Sequence, residues 1–213
     1  MKKTVLFDLD GTLTDSGEGI INCATLALKH FGLPIPSLEE MRTFVGPPLS
    51  ESFQRCGVRE DQVEEAIQVY RSRYVPTGMF ENTPYPGIRE LLTTLKSQGY
   101  TLYVATSKPE TMSVTILERF ELAGFFDRIC GASIDESRNT KDAVIAYLLE
   151  QSGAVEDMVM VGDTKYDVLG AKVHGIPAIG VSWGYGNEEE MVAAGAAGIV
   201  HTMEELLDML HKL

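Results

Sequence analysis

Near the start of the chain stands Thr4-Val5-Leu6-Phe7-Asp8-Leu9-Asp10-Gly11-Thr12-Leu13-Thr14-Asp15. Its first four residues have the β-branched and apolar character of a buried strand. Asp8 and Asp10 follow two positions apart, and side chains at i and i+2 of an extended segment leave on the same face. Two carboxylates in one small space repel unless a cation or a shared proton compensates. A core strand has no structural use for that cost. Gly11 and the hydroxyl residues after it mark a turn out of the sheet. The chemistry such a pair permits is narrow: one carboxylate attacks an electrophile, its neighbour protonates the leaving group and then deprotonates water, and a divalent metal offsets their charge. Phosphoryl transfer fits this best. The plainer alternative is an acidic turn in which Asp15 or Ser16 caps the next helix.

The composition narrows the partners. With 213 residues, 44% hydrophobic and 23% charged, the chain has room for a sizeable core and a second small domain. A formal net charge of −13 disfavours nucleic-acid polymers and anionic membranes, both bound chiefly through an excess of Lys and Arg. An anionic substrate then has to be drawn by local positive groups. No basic-then-apolar signal opens the chain and no apolar run approaches the ~20 residues that span a bilayer, so a cytoplasmic protein is expected, as a monomer or small homo-oligomer. Cys23, Cys56 and Cys130 are widely spaced and fit reduced, buried thiols. His30, His174, His201 and His211 are scattered, and His174 before Gly175 reads as a helix C-terminal residue favoured by the macrodipole.

Periodicity divides the rest into elements. Ile20, Ile21, Ala24, Leu28 and Phe31 recur at helical spacing, Ser37 with Glu40 forms a capping box, Leu49 to Cys56 gives a third short helix, and Val63, Ala66, Ile67, Tyr70 and Tyr74 give a fourth stripe. Pro76, Gly78, Pro84, Pro86 and Gly87 then crowd together as a linker. From Ile88 the pattern alternates: helix to Gln98, strand Thr101 to Ala105, helix from about Pro109 to Phe120, strand Arg128 to Gly131, helix Lys141 to Gln151 and strand Met158 to Val161. Helix Lys165 to Val173, strand Ala178 to Val181, a short strand at Ile199 and Val200 and a helix opened by Thr202 complete it. This predicts an α/β fold, a doubly wound parallel sheet made of residues 1–15 and 84–213, with a helical cap domain, residues 16–83, inserted after the first strand.

Ligands bind beyond the carboxyl ends of the strands in such a sheet. There stand Asp8 and Asp10, then Thr106, Ser107 and Lys108, then Gly162-Asp163-Thr164-Lys165-Tyr166-Asp167, with Lys141 opening a helix after a polar loop. Taken singly, Thr106 is an ordinary helix cap, Lys141 a solvated lysine and Gly162-Asp163 a strand-end turn; together, in this order, they describe a site. Lys108 is placed equally by substrate contact or by the surface, and Lys165 by solvent. Trp183 and Tyr185 fit either the site's mouth or the edge of the core.

Asp8-Leu9-Asp10-Gly11-Thr12, Thr106, Lys141 and Gly162-Asp163 with Asp167 resemble the four motifs of the haloacid dehalogenase superfamily, in its phosphatase branch. The helical insert is similar to the small mobile cap of its phosphoglycolate phosphatase and β-phosphoglucomutase groups. Phe44-Val45-Gly46-Pro47-Pro48-Leu49, and Phe80-Glu81-Asn82 before Tyr85-Pro86-Gly87, resemble a bacterial 5′-nucleotidase-like or phosphoglycolate-phosphatase-like subgroup. The resemblance implies that Asp8 is the nucleophile that forms an aspartyl phosphate and Asp10 the general acid and base, and that Mg²⁺ is held by Asp8, the Asp10 backbone carbonyl and Asp163, with Asp167 in support. Thr106 and Lys141 would meet the phosphoryl oxygens. A halide leaves unprotonated, so Asp10 favours phosphate over halide. The implied substrate is a small phosphorylated metabolite, such as a nucleoside 5′-monophosphate or phosphoglycolate, with Ser107 and the cap's Arg42 as candidate contacts; Arg42 fits an ordinary surface ion pair equally well. The cap is expected to close over substrate on two hinges, Thr14 to Gly17 and Phe80 to Tyr85. A phosphomutase uses the same aspartyl phosphate and stays open as an alternative. A non-catalytic receiver-like domain lacks both an acid two residues after its phosphorylated Asp and a helical insert.

Overall fold

The computed structural model describes residues 3–135, 137–152 and 157–212. Strand β1 (Thr4–Phe7) leads through β2 (Thr14–Asp15) to α1 (Gly17–His30), α2 (Leu38–Arg42), α3 (Leu49–Arg55) and α4 (Val63–Tyr74). After β3 (Thr83–Pro84) come α5 (Ile88–Ser97), β4 (Thr101–Pro109), α6 (Glu110–Arg119), β5 (Arg128–Ala132), α7 (Lys141–Ser152) and β6 (Met158–Gly162). The remaining elements are α8 (Lys165–Val173), β7 (Ala178–Val181), α9 (Glu188–Ala194), β8 (Gly198–Val200) and α10 (Met203–Lys212). Two compact units result, one of Met1–Thr14 and Pro84–Leu213, the other of Asp15–Thr83.

In the first unit six parallel strands lie in the order β5-β4-β1-β6-β7-β8. The chain fills one side of β1 and then the other, so the carboxyl end of β1 is a topological switch point. Successive side chains of a strand point to opposite faces, and both faces here are covered, which is why these strands read as continuous apolar runs. Val5, Phe7, Leu102, Val104, Val159, Val161, Ile179 and Val181 pack with Leu91, Leu92 and Leu95 of α5 and Leu206 and Leu210 of α10. The residues between them, Leu6, Ala105, Met158, Met160 and Ala178, pack with α7, α8 and α9 through Val144, Leu148, Val168, Ala171 and Met191. Phe7 is in register with Val104 and with Val161, so the residues that follow leave three adjacent strands at one level.

Some details differ from the sequence reading. β4 runs on to Pro109, with a shift in its pairing to β5 between Ala105 and Pro109, and Pro109 caps a helix that begins at Glu110. Helix α9 went unpredicted; Asn187 caps it by accepting from the Glu190 N–H at 3.1 Å. Ser16 makes no side-chain capping bond, and the Gly17 N–H donates instead to Asp15 Oδ1 at 3.4 Å. The Ser37–Glu40 capping box is formed.

The second unit has its own core, in which α1 and α4 bury Ala24, Ala27, Leu28, Ala66, Ile67, Tyr70 and Tyr74 with Phe44 and Phe53. Phe44 and Phe53 meet edge to face at 5.4 Å between centroids, and Tyr70 stacks on Tyr74 at 5.1 Å. Arg73 grips Glu81 with two bonds, 2.8 and 2.6 Å, and donates to Cys23 Sγ at 3.3 Å. Cys23 and Cys130 are buried, Cys56 is half-buried, and all three are free thiols. Among the described residues no helix is long and apolar enough to cross a membrane.

Leu92 is fully buried between α5 and the sheet. Leu92→Ala should lower unfolding stability by about 2–5 kcal/mol, read as a shift of the urea midpoint at unchanged slope.

Candidate active site

The three strand ends that share a level bring the chemistry-bearing residues together. Asp8, the residue after β1, accepts from Lys141 Nζ at 2.6 Å through Oδ1. Lys141, the first residue of α7, also donates to the Ala105 carbonyl at 2.8 Å and lies 2.7 Å from Asp167 Oδ1. An ammonium has three N–H donors, and three acceptors from three elements surround this one. Asp163 follows β6 and accepts from the Tyr185 N–H at 2.8 Å and from Thr12 Oγ1 at 3.4 Å. Asp167 stands in the first turn of α8, where its Oδ2 accepts from Thr164 N–H at 3.0 Å and Thr164 Oγ1 at 2.9 Å in a capping box.

Asp8, Asp163 and Asp167 are all buried and present carboxylate oxygens within 4.8 Å of one another. Burial pushes the Asp8 carboxyl up to about 6, with Asp167 and Asp10 adding to the rise and Lys141 opposing it. Burial first, then Asp167 and Asp8, holds Asp163 well above the ordinary carboxylate range. For Lys141 burial works downward, but Asp167 and Asp8 outweigh it and keep the ammonium above the ordinary lysine range. One lysine among three carboxylates leaves an excess of negative charge in an all-oxygen donor set, which suits a hard divalent cation.

Asp10 carries its carboxylate elsewhere. Both of its oxygens accept from Lys108 Nζ, at 2.9 and 2.6 Å, and both side chains are largely buried. The surface placement open to Lys108 in the sequence is therefore ruled out. The metal role expected of Asp10 rests on its backbone carbonyl, not on this carboxylate. Thr106 is buried, its Oγ1 accepting from the Lys108 N–H at 3.3 Å, and Ser107 beside it is half-buried. Arg42 is an exposed residue in the last turn of α2, in the second unit. Lys165 pairs with Glu190 at 3.0 Å on the surface, and His174 closes α8 with Nε2 3.0 Å from the Asp142 carbonyl.

Sequence reasoning missed the loop that holds Asp163. Gly11 has φ +83°, and a Cβ there would overlap the Asp163 carboxylate; a Cβ on Gly184 would do the same. Trp183 donates from Nε1 to the Thr12 carbonyl at 3.1 Å, tying this loop to the turn after Asp10, while its ring packs on the core. Of the two placements open in the sequence, the ring takes the one against the core. The available signal was the glycine spacing of Trp183-Gly184-Tyr185-Gly186 at a strand end, where glycine permits close backbone approach.

Known proteins resemble this chain over most of its length. The haloacid dehalogenase-like hydrolase family profile matches residues 5–181. A 5′-nucleotidase of Pseudomonas aeruginosa is 43% identical over 191 residues, 89% of this chain and 86% of that protein. A protein named Tyrosine-protein kinase PtkA from Mycobacterium tuberculosis is 42% identical over 209 residues, 97% of this chain and 72% of its own length. A crystal structure of a predicted phosphatase from Clostridium acetobutylicum superposes with a TM-score of 0.95 at 44% identity, covering 100% of both chains.

The acidic trio links stability to pH. Asp8 goes from 3.8 to about 6 on folding and Asp163 also rises, so the folded state binds more protons than the unfolded one in that window. These groups therefore make the metal-free protein less stable as pH rises through it. A cation bound to the ionised trio relieves the repulsion. Thermal melts should show Mg²⁺ raising the melting temperature over EDTA clearly at about pH 7.5 and far less at about pH 5; an increment independent of pH would remove the trio as the cation site.

Proposed function

This chain belongs to the haloacid dehalogenase-like hydrolase family, and on that footing we propose that it is a Mg²⁺-dependent phosphatase that hydrolyses monoesters of a small phosphorylated metabolite. The observation that carries the proposal is the Asp8–Lys141 ion pair inside a buried acidic trio at the switch point of the sheet. Asp8, Asp163 and the Asp10 carbonyl would hold the cation, with Asp167 in support, and when bound it would offset the charge of the attacking carboxylate and the phosphoryl oxygens.

The remaining work falls to the chain's own residues. An Asp8 oxygen attacks phosphorus in line, the bond to the ester oxygen breaks, and Asp10 gives that oxygen its proton, so that an alcohol leaves. Asp10, now a carboxylate, takes a proton from water as the water oxygen attacks the phosphorus of the aspartyl phosphate. The Asp8–phosphorus bond breaks and inorganic phosphate is released. Lys141 fixes Asp8 for attack and sets positive charge beside the phosphoryl oxygens, and the Thr106 hydroxyl donates to one of them. The 5′-nucleotidase name of the Pseudomonas relative supports a nucleoside 5′-monophosphate as the first substrate to try, with phosphoglycolate second.

Free phosphate should accumulate from at least one member of a panel of nucleoside monophosphates, phosphoglycolate and sugar phosphates in Mg²⁺, and not in chelator. A mutase would instead return the phosphoryl group to a sugar without net release. Asp8→Asn should lower turnover by about 10⁴-fold or more with the fold intact, and Asp10→Asn by about 10²–10⁴-fold. Retained turnover in D8N would remove Asp8 as nucleophile.

A further inference from the structure

The loop over Asp163 is pinned at both ends: the Ser182 N–H donates to the Val200 carbonyl at 3.0 Å, and Asn187 caps α9. Between them the Tyr185 N–H meets Asp163 Oδ2 at 2.8 Å, while Asp163 Oδ1 accepts from Thr12 Oγ1 at 3.4 Å. These two donors belong to segments that follow β7 and β1, and β6, the strand that carries Asp163, lies between those two strands. Two inter-strand spacings, ~10 Å, part them. The indole of Trp183 crosses that gap, donating from Nε1 to the Thr12 carbonyl at 3.1 Å. A closed circuit results, from Asp163 to Tyr185, back along the loop to Trp183, across to Thr12 and from its hydroxyl to Asp163 again. An indole suits the crossing, being a rigid apolar body with a donor on its far edge, and its ring is held by the core.

We propose that Trp183 is a positioning residue for cation binding: its indole N–H holds the Tyr185 loop and the turn after Asp10 at the separation where both donors meet Asp163, and so sets the direction of that carboxylate. This rests on the phosphatase reading, whose cation Asp163 and the Asp10 carbonyl would hold. The site's charge is what calls for such a brace. Asp163 is buried with Asp8 and Asp167, and repulsion turns a carboxylate away from its neighbours unless outer hydrogen bonds fix its direction. Without the N–H the turn and the loop lose that tie, and re-orienting Asp163 when the cation binds then costs affinity.

Trp183 is the chain's one tryptophan, so replacing tryptophan throughout the protein alters this residue alone. The test is calorimetric titration of the metal-free protein with Mg²⁺. W183F should weaken Mg²⁺ by about fivefold or more. Protein made with benzothienylalanine, which keeps the two fused rings and has sulfur in place of the N–H, should lose about the same affinity while its urea midpoint in EDTA stays nearer the wild type than that of W183F. Protein made with 5-fluorotryptophan, which keeps the N–H, should bind Mg²⁺ within about twofold of the wild type. Should W183F fail to fold, the benzothienylalanine protein carries the test. Wild-type affinity in the benzothienylalanine protein, or an equal loss in the fluorinated one, overturns the proposal, because ring packing and not the N–H would then be at work. A wild-type protein that takes up no Mg²⁺ overturns the cation reading and this proposal with it. One that shows the expected losses of affinity yet releases phosphate from no monoester upholds the role of Trp183 and overturns the phosphatase reading alone.

Discussion

Carboxylate packed against carboxylate, out of water, at the carboxyl end of β1 is the constraint that the rest of the molecule accommodates. Asp8, Asp163 and Asp167 repel one another, and burial removes the solvent that would screen them. Each is held against that repulsion by a specific device: Lys141 on Asp8, the Thr164 capping box on Asp167, and the Tyr185 N–H with the Thr12 hydroxyl on Asp163. No local propensity would assemble these groups. The packing of two apolar layers on a parallel sheet supplies the stability that an arrangement so unfavourable in itself requires.

The sheet does more than supply stability, because its register fixes where charge emerges. Phe7, Val104 and Val161 share a level, so Asp8 leaves β1 beside the Ala105 carbonyl that Lys141 also binds, and Asp163 leaves β6 one residue past Gly162. A slip of one residue in β6 would turn Asp163 to the opposite face and put Gly162 or Thr164 in its place. Glycine supplies the remaining precision. Gly11 and Gly184 approach the Asp163 carboxylate from two loops, at distances no side chain would allow.

How far the sequence discloses this depends on whether a feature is written in side-chain type. The strands of the sheet could be read from runs of Val, Ile, Leu and Met, and the site from acids and a lysine at strand ends, where buried charge has no structural use. Lys108 could not be placed, since lysines are almost never buried unpaired and its burial depends on the continuation of β4 to Pro109. The grip of Tyr185 on Asp163 is a backbone bond, indifferent to the tyrosine itself. Helix α9 escaped because it is short and opens on Glu188-Glu189-Glu190, which reads as a solvated loop until Asn187 is seen to cap it.

The two acids of the opening motif are chemically identical and two residues apart, so their environments must separate their roles. Asp8 is paired with a lysine that is itself anchored by Asp167 and by the Ala105 carbonyl, an arrangement that fixes its direction, as a nucleophile requires. Asp10 is the more exposed of the pair, with 13% of its side chain accessible against 9% for Asp8, and its counter-ion comes from the strand end that carries Thr106. On the proposed phosphatase reading, the lysine anchored at several points suits Asp8 to attack, and the separate ion pair of its neighbour suits Asp10 to carry the proton.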